Sequence, residues 1–99
     1  MATQPEAKLS KKIRAHAEER GAWVFNVHGG DNPFQEVGVM DLIMCYRGRF
    51  VGVEVKLPGE KASRAQEVVI RRVREAGGIA EVVHSVADIE RILNRTTRK

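Results

Sequence analysis

Residues 38–56 read GVMDLIMCYRGRFVGVEVK, two largely apolar runs joined by the dipeptide Arg47-Gly48. Two such runs with a short turn-forming joint between them are typical of a β-hairpin. We therefore predict strands over residues 39–46 and 49–56. Pro58 and Gly59 follow the second run and close it, because neither residue suits the continuation of a strand.

The hairpin carries opposite charges on one side of its second strand. Side chains alternate between the two faces of a sheet, so Glu54 and Lys56 share one face while Val53 and Val55 point toward the core. If the turn has two residues, Asp41 lies directly opposite Glu54 on the first strand. Arginine is a poor residue for the left-handed first position of a type I′ turn, so a longer loop with another register is the alternative.

Two carboxylates facing each other across a ladder repel, and a divalent cation would offset that repulsion. Mg²⁺ takes oxygen ligands, commonly one or two carboxylates, and leaves other positions for water and phosphate oxygens. Lys56 would then lie beside the attacking water or the phosphate. The pattern points to metal-dependent phosphodiester cleavage. The alternative is a solvated Glu54–Lys56 ion pair on the outer face of an edge hairpin.

The rest of the chain alternates between helical and strand patterns. A helix is predicted over residues 3–20, with Thr3 and Glu6 as a capping box and Gly21 as its stop. A strand follows over 22–27, and the Gly-, Asn- and Pro-containing stretch HGGDNPFQEVG is a loop.

After the hairpin, Ser63 begins a helix that ends at Gly77-Gly78, residues 79–84 form a strand, and Ser85 caps a last helix. The expected inner faces of these two helices are Ala65, Val68, Val69, Val73 and Ala76 for the first, and Ile89, Ile92 and Leu93 for the second. The polar tail from about residue 94 to 99 should be frayed. The predicted order is αβββαβα, an α/β fold.

Composition limits the function classes. A chain of 99 residues with 42% hydrophobic residues suits one domain, and a formal charge of +4 with a pI near 9.6 favours a polyanionic partner. No apolar run approaches the roughly 20 residues that span a bilayer. The amino terminus lacks the apolar segment of a signal peptide, and a lone cysteine, Cys45, fits a reduced core position. We expect a cytoplasmic protein with no membrane partner.

The stretch GVMDLIMCYRGRFVGVEVKLPGEKASRAQ resembles the PD-(D/E)XK nuclease motif, and in particular that of the VRR-NUC (virus-type replication and repair nuclease) family. The resemblance extends from Glu6 through the final strand. It implies a restriction-endonuclease-like domain over residues 1–99, with a central mixed sheet flanked by helices. Standalone members occur in phages and bacteria. The resemblance therefore implies a bacterial cell or a phage-infected host as the location, and a role in replication and repair.

The resemblance also assigns roles to individual residues. The motif acid falls on Asp41, E-x-K on Glu54-Val55-Lys56, and the helical glutamine on Gln66. Asp41, Glu54 and the Val55 carbonyl would hold Mg²⁺ or Mn²⁺, and Lys56 would orient the water. Glu6 best matches the acid that the family carries on its first helix, ahead of Glu18 and Glu19, and would support both the metal and catalysis.

Other readings remain open at several of these positions. Glu6 and Gln66 each stand where a helix-capping residue is expected, so either could be a cap alone or do both jobs. His28, in the Gly-rich loop, could touch phosphate or simply be exposed. The residue before the motif acid is usually proline and here is Met40, a departure that should alter local strand geometry rather than the ligand set.

The implied activity is a metal-dependent deoxyribonuclease, an endonuclease that cuts duplex or branched DNA at junctions or flaps. Basic residues that could contact DNA phosphates, beside His28, are Arg47, Arg49, Lys61 and Arg64. Aromatic residues are few, so stacking on bases is not indicated. A symmetric homodimer is expected, because so short a chain offers little surface to a long duplex. The rival hypothesis is a non-catalytic nucleic-acid-binding module that retains the fold.

Overall fold

A computed structural model describes residues 3–27 and 38–96. The order of elements agrees with the predicted αβββαβα. His28 and the rest of the predicted loop up to residue 37 lie outside the described residues. The elements are α1 (Gln4–Glu19), β1 (Trp23–Asn26), β2 (Leu42–Tyr46), β3 (Arg49–Val55), α2 (Arg64–Glu75), β4 (Ile79–Val83) and α3 (Val86–Thr96).

The strands form one mixed sheet in the order β1-β2-β3-β4. The first three are antiparallel, and β4 lies parallel to β3 after the α2 crossover. Tyr46 pairs with Arg49 and Leu42 with Val53, which is the register of a two-residue turn. Arg47 and Gly48 have φ angles of 52° and 80°. Both turn residues are left-handed, as a type I′ turn requires, so the predicted register is confirmed.

One face of the sheet carries the larger core and packs against α1 and α3. Alternation along β3 puts Val51, Val53 and Val55 on this face, all fully buried. Ile13 and Ala17 from α1 meet Ile89 and Leu93 from α3 over them. This packing explains the period-four apolar pattern of both helices.

The opposite face is only half covered, because α2 packs against the side of the sheet formed by β3 and β4. Here Ile70 is buried with Met40 and Ala80. Ile70 was not among the expected inner residues of α2, whereas Ala76, which was, is exposed. The inward stripe of α2 therefore runs through Ile70 and its neighbours rather than toward the end of the helix.

Cys45 departs from its predicted core position for the same reason. It lies on β2 on the face that α2 leaves open, and its side chain is exposed. The apolar run around it suggested burial on both faces. Only residues facing α1 and α3, such as Met44 and Tyr46, are in fact buried in this part of the strand.

The predicted helix caps are present. Thr3 accepts a hydrogen bond from the Glu6 backbone, and Ser63 forms a full capping box with Gln66. The last helix continues through Thr96, whose hydroxyl donates to the Ile92 carbonyl and is buried, so residues 94–96 belong to α3 and not to the expected polar tail. Within residues 3–27 and 38–96, no helix is both long and apolar enough to cross a membrane.

Candidate active site

The predicted acids meet at the end of the hairpin opposite its turn. The register places Asp41, just before β2, opposite Glu54 on β3. Oδ2 of Asp41 accepts a hydrogen bond from the Val55 backbone N–H at 2.9 Å. The Asp41 carboxylate thus takes the place of a main-chain acceptor where the β2–β3 ladder ends. The backbone of Asp41 is held from the other side by Val27, whose N–H donates to its carbonyl.

Glu54 is a buried carboxyl group, with only 1% of its surface exposed. Its Oε2 accepts a hydrogen bond from Nε2 of Gln66 at 2.7 Å and lies 3.6 Å from Nζ of Lys56. Its Oε1 is buried with no hydrogen-bond partner. A buried carboxylate oxygen without a partner is costly, and in a native fold it calls for a specific explanation.

Burial and the nearby charge of Asp41 together raise the pKa of Glu54 to about 8, and Lys56 only partly counters them. The first cause is desolvation, which disfavours the ionised form. The second is repulsion from a like charge. At neutral pH the two facing acids are therefore poorly compatible as a doubly ionised pair, and a proton or a cation between them would relieve the conflict.

Gln66 performs both of the roles left open by its sequence position. Its Oε1 accepts a hydrogen bond from the Ser63 backbone N–H at 2.8 Å, completing the capping box. Its Nε2 donates to Glu54 at the same time. The start of α2 is therefore tied directly to the acid on β3, and one amide side chain serves the fold and the site together.

Of the two other predicted metal ligands, Val55 adjoins the Asp41–Glu54 pair, whereas Glu6 lies on another element, α1. Glu6 lies at the start of α1, where its carboxylate accepts a hydrogen bond from Thr3. Across the described part of the chain, no three His, Cys, Asp or Glu side chains gather as a metal-binding group. The role of Glu6 at a metal stays a prediction. The Val55 carbonyl points to the same side as its N–H, toward Asp41, because the two groups of a strand residue face one neighbour.

The predicted basic residues lie at two ends of the hairpin. Arg47 and Arg49 flank the turn, about 17 Å along β3 from Glu54. Lys61 and Arg64 lie in and after the loop that leads into α2, on the side of the acids, and all four are exposed. His28 lies outside the described residues. The two groups therefore do not form one patch.

A groove lies next to the acid pair, on the side of β3 that faces β4 and away from β2. It has a volume of about 470 Å³. Its wall includes Val82, the β4 partner of Glu54, and His84, whose ring nitrogen faces the Lys56 and Leu57 carbonyls at 3.2 Å. The charged residues that line it are Glu60, Lys61, Glu67, Arg71 and Arg74.

Sequence reasoning missed the contact that shapes the approach to Asp41. Met40 is buried and lies over Gly52 of β3. A Cβ atom at Gly52 would stand 2.3 Å from Cε of Met40, so only glycine leaves room for this side chain. An isolated glycine in a strand often marks such a close approach, and this was the available signal. Met40 thus fills the space before Asp41, the position at which the family that the sequence resembles usually carries proline.

The fold and the site together define a class: small α/β domains whose mixed sheet presents a D…E-x-K acid pair at the open end of a hairpin. A solved structure described as "VRR_NUC domain" is similar to this chain, with a TM-score of 0.75 and 23% sequence identity over 93% of this chain and 97% of that one. The fold implied by the sequence resemblance is therefore confirmed. No family model and no curated protein matches the chain.

Proposed function

We propose that this chain is a metal-dependent DNA endonuclease of the PD-(D/E)XK type, within the VRR-NUC family. The observation that carries the proposal is the partnerless, buried Oε1 of Glu54 on a carboxyl group that faces Asp41. An isolated domain gains no stability from that arrangement. A cation bound by both acids would give each of them a compensating charge.

The donor set fits Mg²⁺ or Mn²⁺. Both ions prefer oxygen ligands, and the pair of carboxylates together with the Val55 carbonyl offers only oxygen. Among the described residues, no histidine or cysteine joins the two acids to make a group of three such side chains. When bound, such an ion polarises a phosphate oxygen and lowers the pKa of a water molecule.

The chain's own residues would orient the reaction. Lys56 lies beside Glu54 and is partly exposed, so its ammonium can hold a water or stabilise charge on a phosphate oxygen. Gln66 fixes the rotamer of Glu54 and keeps Oε1 free by occupying Oε2. Asp41 is fixed by the Val55 N–H. In each acid, one carboxyl oxygen is therefore fixed by a hydrogen bond from a neighbouring residue.

The proposed substrate is DNA, specifically branched or junction DNA. The proposed setting is phage or bacterial replication and repair. A charge of +4 and the exposed Arg47, Arg49, Lys61 and Arg64 support contact with phosphates. We also propose a symmetric homodimer that presents two such sites, to be tested by sedimentation.

The test is cleavage of labelled duplex, flap, fork and four-way junction DNA in Mg²⁺, in Mn²⁺ and in chelator. Glu54→Gln is the matched control, because it keeps the shape and an acceptor for Gln66 but removes the charge. Wild type should cut at least one branched substrate only with metal, and Glu54→Gln should not cut. Cleavage that persists in chelator, or in Glu54→Gln, contradicts the proposal.

A second candidate is a binding module without catalysis, favoured by the near-complete burial of Glu54. In that case DNA should shift in mobility with equal affinity in Mg²⁺ and in chelator, and no substrate should be cut. A calorimetric titration with Mg²⁺ or Mn²⁺ separates the candidates without DNA. If the chain is the nuclease, wild type should bind the metal and Asp41→Asn should lose the binding signal; the binding module should show no signal in either protein.

A further inference from the structure

Three large aromatic side chains are exposed on the face of the sheet that α2 partly covers: Trp23 and Phe25 on β1, in the half that α2 leaves open, and Phe50 on β3, beside Gly78 at the end of α2. The exposed fractions are 63% for Trp23, 52% for Phe25 and 41% for Phe50. The rings of Trp23 and Phe25 stack on each other, with centroids 6.1 Å apart and planes within 17° of parallel. Large rings seldom remain this exposed together without a partner.

The strand register places these rings on the same face as the acid pair. Trp23 pairs with Cys45, and Cys45 pairs with Phe50. Phe25 belongs to the next row, paired with Ile43, and that row is followed by the row of Asp41 and Glu54. Two residues along a strand cover about 7 Å, so the rings lie about 7 to 14 Å from the acids, a distance of a few nucleotides.

The surroundings favour a nucleic acid over other occupants. Among the described side chains that β1, β2, β3 and Asp41 present on this face, the acid pair supplies the only carboxylates, so no other described carboxylate of these segments would repel a phosphate backbone on this face. A DNA strand bound at the acids can follow the groove beside α2 in one direction and the open half of the sheet, toward the rings, in the other. A second copy seated on the rings would obstruct that side of the acids.

We propose that Trp23, Phe25 and Phe50 form a base-stacking platform for unpaired nucleotides next to the cleavage site. The position of the platform beside a cleavage site rests on the proposed nuclease function, whereas its binding of single-stranded DNA can be measured without cleavage. Flat rings stack on any base, so the platform selects unpaired strands rather than a sequence. This inference reverses the expectation, drawn from the low aromatic content, that stacking on bases plays no part.

Trp23 is the single tryptophan of the chain, so its fluorescence reports on the platform directly. Wild-type protein is titrated with oligothymidylate in chelator, where no cleavage can occur. Tryptophan emission should be quenched, and a fork with unpaired arms should bind more tightly than a flush duplex. The quench should persist at salt concentrations that weaken phosphate contacts.

Variants separate stacking from other effects. Trp23→Ala/Phe25→Ala should weaken oligothymidylate and fork binding at least about fivefold, with little change for flush duplex. Trp23→Phe, which keeps a ring, should retain binding, and Ala15→Ser on the exposed side of α1, which changes no charge, serves as the matched control. Circular dichroism checks that the variants are folded, since both rings lie outside the core.

Unchanged emission at saturating oligothymidylate, or wild-type affinity in the double alanine variant, overturns the platform. So does a double variant that binds DNA normally but sediments as a smaller species, since the rings would then be an interface between copies. Quenching without cleavage of any DNA leaves the platform standing and removes the nuclease assignment. Cleavage of DNA without quenching of Trp23 keeps the nuclease assignment and overturns the platform.

Discussion

Gln66 and Glu54 are joined by a hydrogen bond of 2.7 Å from the amide Nε2 to the carboxyl Oε2, and the other end of the same amide caps α2. The helix start and the acid on β3 therefore share one side chain. A change in Gln66 should affect both stability and the site. A change in its capping partner, Ser63, should affect stability alone.

Ser63→Ala and Gln66→Ala form a matched pair that tests this coupling. Each removes part of the capping box, so each should lower the free energy of unfolding by about 1 kcal/mol. Only Gln66→Ala releases Glu54, and loss of such a supporting contact typically costs about 10- to 100-fold in metal affinity or activity. Thermal melts and cleavage rates on the same preparations check both effects. Equal cleavage rates in the two variants would show that Gln66 acts only as a helix cap and does not support the site.

The pH dependence of the free energy of unfolding should show how unfavourable the ionised form of Glu54 is in the folded state. Its pKa is raised from 4.5 to about 8, so between these values the folded state holds a proton that the unfolded state releases. Stability without metal should therefore fall as the pH rises from about 5 to 8 and level off above that range. Below 4.5 both states are protonated and the group contributes no slope. Chelator-treated protein melted across this range measures the effect.

Glu54→Gln is the control for that slope. It has no proton to lose, so its stability should stay flatter over the same range and exceed that of wild type at pH 8 by at least about 1 kcal/mol. A wild-type curve with the same slope as the variant's between pH 5 and 8 would show that the folded state does not hold this proton.

Much of the site could be predicted from local pattern. The turn residues and the alternation of apolar side chains determine the hairpin register, and this alone sets Asp41 opposite Glu54. Ser63 and Gln66 stand three residues apart at a helix start, a purely local signature. These features depend on contacts close in sequence, or on the fixed period of a strand.

The remaining features depend on where α2 and α1 pack against the sheet. Whether Ile70 is buried and Cys45 exposed follows from α2 covering β3 and β4 only, a choice that no local pattern expresses. The distance from Glu6 to the acid pair depends likewise on how α1 crosses the sheet. The packing of Met40 on Gly52 joins two strands and is visible only once they are paired.

Gly52→Ala should disturb the hairpin through Met40. The new Cβ would meet the buried Met40 thioether, and overpacking of this kind costs about 1 to 3 kcal/mol. Met40→Ala makes room, so the double variant should lose less stability than the two single losses added together. Urea melts of the four proteins give this coupling energy. Additive losses would show that Met40 and Gly52 do not compete for space.

Lys56→Ala tests the role of the ammonium beside Glu54. Its side chain is largely but not fully buried and makes its ion pair with Glu54. The fold should survive, whereas cleavage should fall about 100-fold or more, as for the loss of a charge-stabilising donor. Lys56→Arg, which keeps the charge with a different shape, is the companion variant. Turnover of Lys56→Ala near the wild-type rate would remove this residue from the mechanism.

Asp41→Asn separates the structural and chemical roles of the acid pair. Asparagine keeps an oxygen that can accept the Val55 N–H, but it removes the charge that helps to raise the pKa of Glu54. In chelator at pH 6, where Glu54 is protonated, the melting temperature should hardly change. At pH 9, where Glu54 is ionised, the variant should be more stable than wild type by a few tenths of a kcal/mol or more.

Function should move in the opposite direction. Without the Asp41 charge, cleavage of the best branched substrate should collapse in Mg²⁺, and added Mg²⁺ should no longer raise the melting temperature. DNA binding in chelator should persist or tighten, because one negative charge near the phosphates is gone. If Asp41→Asn melts far below wild type in chelator, Asp41 is a structural residue whose hydrogen bond asparagine cannot replace. If it cuts DNA at the wild-type rate, the acid pair is not the cleavage site.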